Sequence, residues 1–150
     1  VTGSVAAAAG AVEGSCGNTA GAEVLYTVTV PAGAFDLLAT TATEATGEGD
    51  TVLYVQATCG DPDSSTFGET NACNDDIDVA SEIYTSAVEV QDIPAGTYTI
   101  GVESYGIADA ALAFGLEVSL RPVLATGATC DMAGIMNRCA GGACAGGTCP

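Results

Sequence analysis

Glu23–Val30 reads EVLYTVTV. Val24, Tyr26, Val28 and Val30 alternate with Leu25, Thr27 and Thr29, and β-branched residues dominate the stretch. A period of two with that composition predicts a half-buried strand. Pro31-Ala32-Gly33 ends it. Outward from there the pattern recurs: strands are predicted over Ala34–Thr41 (AFDLLATT), Thr51–Ala57 (TVLYVQA), Ser86–Val90 (SAVEV), Thr97–Glu103 (TYTIGVE) and Ala111–Leu120 (ALAFGLEVSL). In the last of these Leu112, Phe114, Leu116, Val118 and Leu120 share one face. Asp92-Ile93-Pro94-Ala95-Gly96 reads as a turn, and the small apolar run Ser4–Val12 as a weak helix or a flat strand, with Gly10 and the absence of caps favouring the strand. Tyr26, Tyr54 and Tyr98 fall on strands and are expected in or beside the core. With Gly/Pro turns and no helical periodicity, the expected fold is all-β, a jelly-roll-like antiparallel β-sandwich of about seven or eight strands over residues 1–122.

From residue 123 the composition shifts to Ala, Gly and Cys, and residues 123–150 read as a small disulfide-rich tail. The chain has seven cysteines, which favours an oxidising compartment, hence a secreted or cell-surface protein. Cys130, Cys139, Cys144 and Cys149 lack the paired CxxC spacing of a zinc ribbon, so disulfides are expected there, with connectivity open. A long loop over residues 58–82 carries Cys59 and Cys73. A Cys59–Cys73 bridge would pin it and contribute on the order of 3 kcal/mol. That leaves Cys16 unpaired or bonded to another chain.

Charge excludes several functions. Two Lys+Arg stand against 19 Asp+Glu, with no histidine, for a formal charge of -17. Two arginines cannot make a nucleic-acid surface. Without histidine there is no Ser-His-Asp or Cys-His pair, and without lysine no P-loop or Schiff base. An anionic membrane would repel the chain, and no run of about 18 apolar residues could span one. The chain is nevertheless 48% hydrophobic, with a mean hydropathy of +0.38, so it is expected to fold rather than remain disordered. No signal peptide is visible, and Val1 reads as a mature or trimmed start.

Ten of the 19 acids lie within residues 44–82, a stretch without a basic residue, and Asn74-Asp75-Asp76-Ile77-Asp78 is the densest part. Crowded carboxylates repel one another. Full solvation on loops would relieve that; so would a hard divalent cation, and calcium takes six to eight oxygens from flexible loops. The EF-hand pattern is missing, and magnesium prefers water and phosphate to a protein cage. A glycosidase pair would need an aromatic-lined cleft, whereas there is no tryptophan and aromatics are 5% of the chain.

Asp50-Thr51-Val52-Leu53-Tyr54-Val55, then Cys59-Gly60, then Ala72-Cys73-Asn74-Asp75-Asp76, resembles the bacterial pre-peptidase C-terminal domain. The variety it is similar to occurs in surface proteins of myxobacteria and comparable Gram-negative bacteria. Gly14-Ser15-Cys16-Gly17 ahead of Glu23, and Ala95-Gly96-Thr97-Tyr98, fit the same pattern. Glu103-Ser104 departs from it, because the family often has an Asp-Gly-Tyr ending there. The resemblance spans roughly residues 5–120. It implies a non-catalytic, secreted, jelly-roll-like β-sandwich with calcium sites in some members. Asp50, Asn74, Asp75 and Asp76 are the positions it carries over; Asp61, Asp63 and Asp78 join them from charge density alone. The resulting expectation is a non-enzymatic calcium-binding module that self-associates into a fibre or tandem array, with Ca2+ bridging the acidic loops of neighbouring copies. The alternative is a monomeric module that binds polysaccharide or protein through exposed tyrosines, of which Tyr84 and Tyr105 are the candidates.

Overall fold

The structure is a computed structural model that describes residues 1–6, 10–16, 21–106 and 111–150. Its strands are β1 (Thr2–Val5), β2 (Glu23–Val30), β3 (Phe35–Thr40), β4 (Thr51–Gln56), β5 (Thr66–Phe67), β6 (Thr70–Asn71), β7 (Cys73–Asn74), β8 (Ala87–Ile93), β9 (Gly96–Ser104), β10 (Leu112–Gly115), β11 (Glu117–Leu124) and β12 (Arg138–Cys139). One sheet runs β2-β9-β4-β7 and the other β12-β11-β3-β8; β1-β10 and β5-β6 are two-stranded. All pairings are antiparallel except the short β11–β12 pair.

The period-two residues meet between the two larger sheets. Leu53, Val55, Ile100 and Val102 come from one sheet, Leu37, Ala39, Val88 and Val90 from the other, and Val5, Phe114 and Leu116 join the same buried cluster. Truncating a side chain such as Leu37 to alanine there costs about 2–5 kcal/mol. Tyr54 and Tyr98 are buried, and Tyr26 packs edge-on against Phe114 at the margin, with ring centroids 6.3 Å apart.

β4 is buried on both faces. Of its outward residues, Tyr54 and Gln56 lie under the segment that precedes β2, and Val52 stands opposite Glu103. A Cβ on Gly14 would sit 2.7 Å from the Tyr54 ring, so the backbone crosses the ring in direct contact. Gln56 Nε2 donates to the Glu13 carbonyl at 2.8 Å. A Cβ on Gly101 would fall 2.0 Å from the same ring, which lies flat across that strand position.

This crossing corrects the expected disulfide. Cys73 pairs with Cys16, and Cys59 is exposed with a free thiol. In the β4–β7 register Cys73 stands opposite Tyr54, beneath the N-terminal segment; Gly14 also abuts its sulfur. Cys59 lies beyond the end of β4, in a turn held by Gly60 N donating to Gln56 Oε1. Cys16, expected to be unpaired or intermolecular, is therefore the partner, and the bridge closes 57 residues. Closing a loop of that length stabilises the fold by about 4 kcal/mol on the chain-entropy model.

Four other expectations shift. Ala111–Leu120 is not one strand: the chain leaves β10 at Gly115 and re-enters the sandwich as β11. A Cβ on Gly115 would lie 2.1 Å from Thr43 Oγ1, and its N–H donates to Thr46 Oγ1, so the strand is pinned and diverted there. β8 runs on to Ile93, taking in part of the expected turn, with a bulge opposite Phe35–Leu37 and Asp92 at φ 52°. The 58–82 loop is organised throughout, with single 3-10 turns at Pro62–Ser65 and Val79–Ser81, the β5–β6 hairpin and β7. The expected Ser4–Val12 strand holds only at its start, in β1; residues 7–9 are outside the described residues.

The tail is closed by Cys130–Cys144 and Cys139–Cys149, two local bridges. It is tied to the sandwich by β12 and by one ion cluster. Arg121 and Arg138 both converge on Asp36, which is 0% exposed. Each guanidinium donates twice to that carboxylate, at 2.8–3.0 Å. Burial alone would raise the Asp36 pKa, but hydrogen bonds from Arg138, the Asp92 amide and Arg121 outweigh it and hold it at about 2. The only two cationic side chains of the sequence thus converge on one buried carboxylate, with Arg121 also paired to Glu89 and Arg138 to Asp92.

Candidate metal centre

Asp50 precedes β4, and Asp75 and Asp76 follow β7. The β4–β7 register, with Leu53 opposite Asn74, brings the two ends together. One carboxylate oxygen from each of Asp50, Asp75 and Asp76 lies within 4.8 Å of the others. The Oδ1 atoms of all three are buried and lack a hydrogen-bond partner among the described residues. A buried acceptor without a donor is costly, and three such acceptors on like charges are more so. Burial first, then the Asp76 and Asp75 charges, pushes the Asp50 pKa up to about 6. Asp75 is raised by burial and by Asp76.

The acids are held in place by neighbours that bear no charge. Asn74 Nδ2 donates to the Asp76 carbonyl at 3.0 Å, and Asn74 Oδ1 accepts from Ala87 N at 2.9 Å. Ser86 Oγ lies within hydrogen-bond distance of the Asp75 carbonyl at 2.7 Å and of the Thr51 carbonyl. Behind it, Thr41 Oγ1 accepts from Ser86 N at 2.8 Å and meets Thr51 Oγ1 at 2.7 Å. This buried hydroxyl group joins the end of β3 and the starts of β4 and β8. Nothing in the sequence flagged it, because Ser and Thr at strand ends usually read as solvent-facing. On the outside, Tyr105 N donates to the Asp50 carbonyl and Thr51 N to the Tyr84 carbonyl, so the two exposed tyrosines flank the acids.

The seven positions singled out from the sequence therefore divide. Asp50, Asp75 and Asp76 converge, and Asn74 braces them. Asp61, Asp63 and Asp78 are exposed and stand outside the cluster. Asp61 caps the turn at Pro62–Ser65 by accepting from Asp63 N at 3.1 Å. Asp78 caps the turn at Val79–Ser81, accepting from Ala80 N and from Ser81 Oγ, which lowers its pKa. Both acids thus have a local role as caps.

The donor set suits a hard cation. Three carboxylate oxygens with no other partner among the described residues match the all-oxygen preference of calcium, whose remaining positions can be filled by further protein oxygens or water. The buried sulfurs of Cys130, Cys139 and Cys149 also lie close together, but disulfide bonding removes them as thiolate ligands. A comparison with protein-family models finds no match to the chain, and a search of curated proteins finds none either.

Proposed function

We propose that this chain is a non-enzymatic, calcium-binding structural module of the pre-peptidase C-terminal type, acting outside the cell as a subunit of a secreted or surface assembly. The observation that carries the reading is the triplet of unpartnered carboxylate oxygens on Asp50, Asp75 and Asp76. Calcium there would join the start of β4 to the end of β7 and cancel a local charge that otherwise opposes the fold. Three disulfides fit an oxidising compartment. No described helix is long and apolar enough to cross a membrane. Copies at -17 repel one another. Exposed Asp61, Asp63 and Asp78 are available to share further ions between copies. Light scattering tests the whole reading: particles formed in calcium should dissociate in chelator and re-form on its return. Size that ignores both additions, together with an unchanged melting temperature, would refute it.

A monomeric polysaccharide-binding module is the second reading. Its support is the placement of Tyr84 and Tyr105, both exposed and both hydrogen-bonded through the backbone to the Asp50–Thr51 segment. Affinity electrophoresis of the protein in gels containing neutral or acidic polysaccharide separates the two readings. Calcium-dependent retardation lost in Tyr84→Ala and Tyr105→Ala would favour the second.

A further inference from the structure

On the opposite side of the β2-β9-β4 layer from the core, a second carboxylate stands apart from the metal centre. Glu103 is 1% exposed, and neither of its oxygens has a well-formed hydrogen bond among the described residues, although the Gly14 and Gly21 amides approach it. It faces Glu23 directly across the β2–β9 register and Val52 across the β9–β4 register. The Tyr54 hydroxyl, also buried, is likewise unpartnered. Among the described residues, the cover over this chamber is the segment 10–16. Glu23 grips it from below by accepting from Ala11 N at 3.0 Å and Val12 N at 3.1 Å. Gln56 holds Glu13 from beneath, and a Cβ on Gly10 would come within 2.0 Å of the Gly21 carbonyl, so the segment is pressed against the sandwich. It is anchored at both ends, by β1 on β10 and by the Cys16–Cys73 bridge.

We propose that residues 10–16 are a proton-gated latch: closed over Glu103 while that carboxyl is protonated, and lifted to admit water when it ionises, with Cys16–Cys73 keeping the lifted strap tethered. Among the described residues, an ionised Glu103 in the closed state would face Glu23 from β2 and Glu13 from the strap, with the neutral Tyr54 from β4 beside it. No cation is at hand, because Arg121 and Arg138 are both committed to Asp36 in the other sheet. Burial, then Glu23 and Glu13, with the Gly14 and Gly21 amides partly offsetting them, push the Glu103 pKa up from 4.5 to about 7. A carboxyl that titrates near 7 when closed and near 4.5 in solvent makes opening about 25-fold more favourable at pH 8 than at pH 5.5. Glu103 is not one of the acids of the metal centre.

The test is amide hydrogen exchange at Ala11 and Val12 between pH 5.5 and 8, corrected for intrinsic exchange, in wild type and Glu103→Gln. Protection in wild type should fall by about 25-fold across that range, on the linkage above. In Glu103→Gln it should not change with pH. Wild-type protection that is flat with pH, or a variant that keeps the full pH dependence, overturns the proposal. Should Glu103→Gln fail to fold, carbon-detected NMR titration of the wild-type carboxyl decides. A Glu103 midpoint that coincides with the loss of protection supports the latch, and a midpoint near 4.5 overturns it.

Discussion

Asp50→Asn should have opposite effects with and without calcium. In the wild type at pH 7 the Asp50 carboxylate is ionised beside Asp75 and Asp76, although its pKa stands at about 6 against an ordinary 3.8. A raised acid pKa in the folded state means that the folded chain holds the proton more tightly than the unfolded one. Stability therefore rises as pH falls from 7 through 6, and ionisation at neutral pH destabilises. At about 1.4 kcal/mol per unit the shift corresponds to about 3 kcal/mol for a dry site; screening of this half-buried group reduces it to roughly 1–2 kcal/mol. In chelator at pH 7, Asp50→Asn should thus melt higher than wild type, by roughly 2–8 °C for a chain of this length. At pH 4 the advantage should largely disappear. Calcium at a hundredfold excess over its dissociation constant stabilises a binding protein by about 2.7 kcal/mol. Wild type should gain that and the variant should lose most of it, so the order of melting temperatures inverts when calcium is added. Differential scanning calorimetry in chelator and in calcium reads both arms. If Asp50→Asn melts lower than wild type in both, the carboxylate is an ordinary structural group and the reasoning about repulsion fails.

Ser86→Ala removes the hydroxyl that reaches the Asp75 and Thr51 carbonyls, and should weaken calcium binding by about 10–100-fold while touching no ligand oxygen; calorimetric titration measures it. Asp36→Asn leaves two guanidinium groups sharing a neutral amide and should cost about 3–5 kcal/mol in urea unfolding. Wild-type stability from the same group is present above pH 3.8 and should be lost as pH falls through about 2, because its folded pKa is depressed. Paired Cys16→Ser and Cys73→Ser should lower unfolding stability by about 4 kcal/mol, whereas Cys59→Ser should change it by less than about 0.5 kcal/mol and abolish iodoacetamide labelling of the native protein.

The strands were legible because their residues obey one local rule. EVLYTVTV and TYTIGVE alternate, and all of β2 pairs with β9. The break at Gly115 was hidden, because Leu112, Phe114, Leu116, Val118 and Leu120 alternate straight through it. What diverts the chain is the approach of Thr43 and Thr46, which only the tertiary fold supplies. Cys73 reads as the partner of Cys59 for a similar reason. Sequence proximity favours the nearer cysteine, but the β4–β7 register turns Cys73 towards the N-terminal segment. Charge density pointed to Asp75 and Asp76, yet it could not separate them from Asp61 and Asp78. Asp61 before Pro62 and Asp78 three residues ahead of Ser81 do carry the spacing of turn caps, a signal available in the sequence. Glu103 gave no signal, since an acid on the second face of a strand ordinarily meets water, and here another segment covers it.

Calcium titration of chelator-stripped protein by isothermal calorimetry at pH 7 bears most directly on the central reading. Wild type should show saturable binding that Asp75→Asn with Asp76→Asn removes, and that Asp61→Asn with Asp78→Asn leaves in place. Absence of binding heat at several temperatures, or binding that survives loss of Asp75 and Asp76, would contradict it.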